Sequence, residues 1–431
     1  MQTFIKDLST KVGEGVTIKG WLYNKRSSGK IAFLELRDGT GFIQAVAVKD
    51  GLLEDIWAEI EKTTQESSLE VTGTVSKHPK QEGVFELQVT DYKLYSLAGE
   101  YPISKKEHGP EFLSDNRHLW LRSKRQWAIL RVRDVIISAV NEYLHKEDFV
   151  KFDSPIFTPN SCEGTTTLFD VPYFDLGEAY LSQSGQLYLE AGIMSLGKCY
   201  DFGPVFRAEK STTKRHLTEF WMMDAEAAFM EHDEHVGFQE GLIKYIVNKC
   251  LKECEEEFEV LERDLEPLKK VIEKPFTRLT YKETIEKLNE LGSDIKFGED
   301  LGNDDEGMLT KDSDVPIFIE KWPKNIKPFY MKIDPTDETR VLNNDLIGIE
   351  GAGELIGGSQ REDDYEILLS RIKEAGLDEK EYEWYTDLRK YGSVPHSGFG
   401  LGIERMVMWL TGAEHIRECI PFPRRVNRLK P

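Results

Sequence analysis

The sequence predicts an α+β protein in two parts, an all-β segment followed by a larger one that mixes strands and helices. Over residues 1–95, short apolar and β-branched runs recur between turn signals, the rhythm of a small β-domain. Beyond about residue 120, strand and helix patterns alternate irregularly, which argues against a doubly wound parallel sheet. With 431 residues, 39% apolar and 31% charged, the chain can bury a sizeable core, and wholesale disorder is excluded.

The β-segment holds five such runs. Its runs fall at 16–22, 31–37, 41–48, 69–76 and 83–95, divided by SSGK, DGTG and KQEG. A helical stretch, LLEDIWAEIEK at 52–62, separates the third run from the fourth. Five short strands with a helix after the third match an oligonucleotide-binding barrel, and some other small barrel is the alternative. The stretch WLYNKRSSGKIAFLELRDGTGFIQ (21–44) sets Lys25, Arg26 and Lys30 beside Phe33 and Gln44. Strand alternation would turn the Phe33 ring outward for a base to stack on, with the cations tracking the backbone. In the opposing reading Phe33 is core and the cations are a solvated edge.

Residues 96–120 are mixed and turn-rich and read as a linker or hinge. A long amphipathic helix is predicted at about 122–146, with Trp127, Leu130, Val135, Ile137 and Leu144 among its apolar positions. A short strand at 149–154 follows and stops at Pro155. The stretch MQTFIKDLSTKVGEG has no basic segment leading into an apolar one, and no apolar run nears the ~20 residues of a membrane helix. The expectation is a cytoplasmic protein without signal peptide or membrane span. Five cysteines (Cys162, Cys199, Cys250, Cys254 and Cys419) are too few and scattered for a disulfide scaffold. Cys250 and Cys254 share a helical face but lack two further ligands, so free thiols are expected. HDEH at 232–235 spaces its histidines three apart rather than as HExxH and is expected on a solvated helix face.

A net charge of −21 opposes general nucleic-acid binding through the field of the whole chain. Much of the acid sits in KECEEEFEVLERDLEP (252–267), expected as a surface helix, and GEDLGNDDEG (298–307), so other surfaces are less hostile to polyanions. FRAEKSTTKRHLTEF (206–220) packs four cations and two carboxylates into a loop flanked by aromatic residues. Such a run is either a solvated hairpin tip or a grip on an anion. Two strands joined by this loop would set Arg207 and Glu209 on one face. Arg207 offers a planar fork to phosphate, Glu209 can accept from an exocyclic amine, and Phe220 can stack on a purine.

Three further segments carry chemistry. In GFGLGIERMVMWLTG (398–412) no βαβ unit supports a dinucleotide reading. The glycines there let a strand run close to a ligand or another backbone, and Arg405 opens a helix as a phosphate clamp or a solvated arginine. Around GIEGAGELIGGSQR (348–361), Asp345 and Glu354 are candidate magnesium ligands, because nucleotide-bound Mg²⁺ takes one or two carboxylates plus phosphate oxygens. SCEGTTTLF through YLSQSGQLYLEA (161–191) holds Glu163, Ser184, Gln186 and Glu190, a set suited to a small zwitterion.

Together these segments resemble the class II aminoacyl-tRNA synthetases and, within them, the asparaginyl family. FRAE…RHLTEF resembles the second motif, GFGLGIER the third, and the helix before Pro155 the first, the dimerisation element. QSGQL, VPHSGFGLG and GGSQR resemble the asparaginyl and aspartyl branch. The resemblance spans essentially the whole chain. It implies an OB-fold anticodon-binding domain at 1–95 and a catalytic domain at 121–431, built on an antiparallel sheet with flanking helices. Arg207 would contact the α-phosphate, Glu209 the adenine amino group and Phe220 the adenine ring. His216 and Arg405 would hold the γ-phosphate, and Glu354 with Asp345 would bind Mg²⁺. Glu163, Ser184 and Gln186 would orient the ammonium group of the amino acid, Arg361 would approach its side chain, and Asp224 completes that pocket. Arg26, Phe33 and Gln44 match positions that read the anticodon. The implied partners are ATP, asparagine, tRNA(Asn) and a second copy of the chain.

Choosing between asparagine and aspartate turns on charge. The aspartyl branch carries a lysine three residues after the Gln of an SPQ-type segment, whereas here Gly185 replaces the proline and Leu189 the lysine. A buried aspartate carboxylate would then be undercompensated, at a large cost, which favours the neutral amide. Two departures bear on this: Asp224, where the asparaginyl family usually has Glu and the aspartyl branch more often Asp, and Gly357, where the aspartyl branch often has a metal-binding serine, which leaves the second metal ligand open. An aspartyl enzyme is therefore the alternative. A non-catalytic tRNA-binding paralogue would be expected to lose Arg207, Glu209 or Arg405, and all three are present.

Overall fold

The computed structural model describes residues 2–104, 106–163 and 167–431. They form two compact units, Met1–Ser114 and Asp115–Pro431.

The first unit is a closed barrel of β1 (Gly15–Ser28), β2 (Ile31–Arg37), β3 (Phe42–Val48), β4 (Ser68–Lys77) and β5 (Phe85–Ser96), in the order β1-β2-β3-β5-β4. The β3–β5 pair is parallel and the others antiparallel. In β2, Ala32, Leu34 and Leu36 point into the core while Phe33 and Glu35 are half-buried on the outer face, as a period of two requires. Helix α1 (Glu54–Lys62) follows β3 and buries Trp57 and Ile60 against the barrel.

The second unit is centred on an eight-stranded sheet. Its strands are β6 (Val150–Lys151), β7 (Lys198–Phe206), β8 (Glu219–Ala228), β9 (Thr277–Thr280), β10 (Ile317–Glu320), β11 (Asn343–Gly348), β12 (Gly353–Gln360) and β13 (His396–Gly402). The order is β9-β10-β11-β12-β13-β8-β7-β6, antiparallel through its middle and parallel at both edge pairs. Helix α2 (Lys124–Lys146), capped by Ser123 accepting from the Gln126 N–H, packs against α4 (His232–Glu253). Two other helices carry site residues, α3 (Gln186–Leu196) and α7 (Ile403–Thr411), and α6 (Tyr365–Glu374) precedes α7 in the chain.

Two local expectations are corrected. The HDEH histidines are buried, not solvated: the Nε2 of His232 lies 2.8 Å from Glu320, and His235 packs on Phe399 beside Gln239. They open the buried stripe of α4, which continues through Val236, Gln239, Leu242 and Ile243 at helical spacing. In the acidic 252–267 segment, Cys254, Glu257 and Phe258 are buried, with Glu257 accepting from Arg131, so only part of that segment is a surface helix. All five cysteines are free and buried.

Candidate active site

The twelve residues assigned from sequence to nucleotide, metal and amino acid all line one cleft of about 410 Å³ in the second unit. Strands β7, β8, β12 and β13 form its floor, and the 207–218 loop joining β7 to β8 forms one wall. Strand β7 ends at Phe206, so Arg207 and Glu209 leave from this loop rather than from one strand face. The loop base is closed by the Arg207 N–H donating to the Thr218 carbonyl at 3.0 Å.

At the nucleotide end the Arg207 guanidinium lies 5.4 Å from the Phe220 ring centroid, and its buried Nε has no partner among the described residues. Burial opposes its charge, but Glu163, Glu354 and Glu209 more than offset that and hold it firmly cationic. The His216 Nε2 is 3.5 Å from Glu209, and burial, then Arg405, lower its pKa. Arg405, in the first turn of α7, donates to the Glu354 carbonyl at 2.6 Å. Behind it Glu404 pins α7 to β8 and α2 by accepting from the Trp221 N–H at 3.0 Å and pairing with Arg133 at 2.8 Å.

Asp345 and Glu354 sit on the neighbouring strands β11 and β12. A Cβ at Gly357 would lie 2.9 Å from the Oε1 of Glu354 and 4.0 Å from the Oδ1 of Asp345, so the glycine leaves the two carboxylates a shared space. The other Asp345 oxygen accepts from Lys327 at 2.7 Å, and that ammonium lies 3.8 Å from the Trp322 ring. Burial pushes Asp345 up to about 7 against the pull of Lys327. Among the described residues no group of three or more His, Cys, Asp or Glu is arranged for a metal, so any ion here would need ligands from outside the protein.

At the amino-acid end, the Asp224 Oδ2 accepts from the Ser184 hydroxyl and the Gly185 N–H, both at 2.9 Å. Glu190, expected in the pocket, lies beneath it: fully buried, it accepts from Gln186 at 3.1 Å, Arg389 at 2.6 Å and Tyr385. Arg361 is 3% exposed and is gripped by both Glu226 oxygens, at 2.5 and 3.3 Å. Burial pushes the Glu226 carboxyl up, and the Arg361 guanidinium opposes it.

Sequence reasoning missed Glu226, Asp201 and Lys327. For Glu226 a signal existed. Asp224 and Glu226 alternate on β8 and pair with Gly400 and Gly398 of β13. A Cβ at Gly398 would come 1.9 Å from the Glu226 Oε1, and one at Gly400 would come 2.6 Å from the Asp224 Oδ1. The GxGxG pattern thus makes room for two carboxylates.

In the first unit a separate cavity of about 610 Å³ is lined by Arg26, Phe33 and Gln44, with His78 and Glu86. Arg26 donates to the Gln44 Oε1 at 3.3 Å and lies 5.9 Å from the Phe33 ring, and the Gln44 amide donates to Glu86 at 2.5 Å. The other two cations do not join it. Lys25 donates to the carbonyls of Ile60, Glu61 and Thr63 at 2.7–3.0 Å, neutralising the negative end of α1. Lys30 pairs with exposed Asp50.

Comparison with known proteins decides the family. A family model described as tRNA synthetases class II (D, K and N) matches residues 109–426. The chain belongs to the class II tRNA synthetases. A model described as an OB-fold nucleic acid binding domain matches residues 16–95 of this class II synthetase, in keeping with its five-stranded barrel. The synthetase is 44% identical to asparaginyl-tRNA synthetase from Pyrococcus horikoshii in a crystal structure with asparaginyl-adenylate, with TM-score 0.95 and both chains fully covered. An asparaginyl-tRNA synthetase from Entamoeba histolytica is 34% identical with TM-score 0.90, again with both chains fully covered. The aspartyl tRNA synthetase of the same organism is 30% identical with TM-score 0.84, over all of this chain and 93% of that one. Among the described residues of this class II synthetase no helix is long and apolar enough to cross a membrane.

Proposed function

We propose that this protein is an asparagine–tRNA ligase, forming asparaginyl-adenylate from ATP and transferring asparagine to the terminal 3′-hydroxyl of tRNA(Asn). The observation that carries the choice of amino acid is the Arg361–Glu226 pair. A pocket for an aspartate side chain needs a surplus cation, and the buried cation beside this pocket is already neutralised by Glu226. A neutral amide can meet both groups, donating to one and accepting from the other.

The substrate carboxylate is a nucleophile at neutral pH and needs no general base. The work of the site is alignment for in-line attack on the α-phosphorus and neutralisation of the charge developing there. Arg207 takes the second role, with its unpartnered Nε at the nucleotide end of the cleft. Glu209 would accept from the adenine amine, Phe220 would stack on the ring, and Arg405 with His216 would hold the distal phosphate. The donor set at Asp345 and Glu354 fits Mg²⁺, which would supply further charge neutralisation to the phosphates. Ser184 and Gln186, fixed by Asp224 and Glu190, would orient the ammonium group together with Glu163. Arg26, Phe33 and Gln44 would read the anticodon. The resemblance of the helix before Pro155 to the first motif supports a homodimer, and a role in translation supports a cytoplasmic location.

The test is amino-acid-dependent ATP–pyrophosphate exchange without tRNA, run with asparagine and aspartate in parallel. Exchange with asparagine alone is expected. Exchange with aspartate alone would make the chain an aspartyl enzyme, and silence with both would favour a non-catalytic tRNA-binding paralogue.

A further inference from the structure

The 207–218 loop is also held from its far side. Arg215, in the loop, donates through Nη1 to the Oε2 of Glu306 at 2.8 Å and through Nη2 to the Oδ1 of Asn303 at 2.6 Å. Both acceptors stand on α5 (Asn303–Thr310), which begins within the acidic 298–307 segment. The two charged side chains are 13% and 14% exposed, so the pair is shielded from water and from salt. The guanidinium also fills the space beside Gly353, where a Cβ would lie 1.8 Å from Nη1. Gly353 directly precedes Glu354, and His216 directly follows Arg215, so the pair sits between two groups of the nucleotide end. Among the described residues the middle of the loop has one other backbone tie to the rest of the unit, the Ile416 N–H donating to the Lys214 carbonyl at 3.0 Å. Lys210 and Lys214 point to solvent.

We infer that Glu306, with Asn303, clamps Arg215 and so sets the position of the 207–218 loop over the phosphate end of the cleft. Glu306 is then a positioning residue for ATP, although it does not line the cleft itself. The inference rests on the ATP-dependent activity proposed above. It gives the 298–307 segment a function that its composition conceals: a local acid meets a local cation, and the bulk charge of the chain is beside the point. A bidentate fork is required, because a single ammonium could not span Glu306 and Asn303.

The experiment uses the full chain with Glu306→Gln, Arg215→Lys and the double variant Arg215→Ala/Glu306→Gln beside Arg215→Ala. Two readouts are taken. The first is the rate of native-state trypsin cleavage after Lys210 and Lys214, expected to rise about tenfold in Glu306→Gln and Arg215→Lys while the melting temperature holds. The second is pyrophosphate exchange, where KM for ATP should rise about tenfold with KM for asparagine nearly unchanged, and the double variant should be no worse than Arg215→Ala alone. An unchanged cleavage rate overturns the clamp, and so does an equal rise in both KM values or independent effects in the double variant. Arg215→Lys keeps the charge and guards against a folding defect in Glu306→Gln. If the unmodified protein shows no exchange, the proposed activity fails, and the cleavage rates still decide whether the clamp exists.

Discussion

Asp201 and Asp224 face each other across β7 and β8, and the carboxylate of Asp201 occupies the space that a side chain at position 185 would need. A Cβ at Gly185 would lie 1.7 Å from the Asp201 Oδ2 and 2.7 Å from the Ser154 Oγ. The Ser184-Gly185-Gln186 turn is thus wedged between two acids, one filling the gap above Gly185 and the other accepting its N–H. Gly185→Ala is expected to raise KM for asparagine by about tenfold or more in pyrophosphate exchange, since small displacements at a binding group are costly. Asp201→Ala in the same chain should restore much of the loss; a double variant as impaired as the single one would count against the steric account.

The same pair makes stability depend on pH. Burial, and then the Asp224 carboxylate opposite, push Asp201 up to about 8, and burial pushes Asp224 up to about 6. The folded protein therefore keeps protons that an unfolded chain, with ordinary carboxyls near pH ~4, releases. Their stabilisation is fully present below that value and declines as pH rises through about 6 and about 8. The slope is at most roughly 1.4 kcal/mol per pH unit for each group. Urea midpoints taken from about pH 5.5 to about pH 8.5 should fall with pH, and Asp201→Asn should flatten the fall.

Glu226→Gln releases the charge of Arg361 inside the pocket. Asparagine-dependent exchange should weaken by about tenfold or more, as expected when a buried charged hydrogen bond is lost. Aspartate-dependent exchange should appear or strengthen. A variant that loses both substrates equally would mean that the pair only supports the fold.

Arg207→Ala should leave melting temperature within a few degrees and lower the rate of adenylate formation by about a hundredfold or more. Pyrophosphate exchange at unchanged rate would remove Arg207 from the reaction.

Phe33→Ala should spare pyrophosphate exchange, which needs no tRNA, and lower kcat/KM for aminoacylation. A base-stacking contribution of about 1–3 kcal/mol corresponds to a loss of roughly fivefold to 150-fold. An equal loss in both assays would point to a damaged barrel instead.

Much of this architecture was legible because strands announce themselves by alternation. Period two sets Ala32, Leu34 and Leu36 on one face and Phe33 on the other, though not which face is inward, and the helix after the third strand marked the barrel type. What stayed hidden was pairing between distant parts of the chain. Glu226 meets Arg361, 135 residues away, and Arg215 meets Glu306, 91 residues away, so no local window contains either pair. Lys25 read as a backbone-tracking cation because its partners are bare carbonyls at a helix end, which leave no side-chain signature. The histidines at 232 and 235 read as solvated because imidazole counts as polar, yet they share a helical face with Val236 and Gln239.

The five free cysteines are each no more than 6% exposed, and burial pushes the Cys199 thiol up to about 12. The native surface therefore offers alkylating reagents almost nothing to attack. A cysteine installed at exposed Lys210 would become the dominant labelling site. A fluorophore attached there would turn the loop that carries Arg207 and Arg215 into its own optical reporter, with no native cysteine to be removed first.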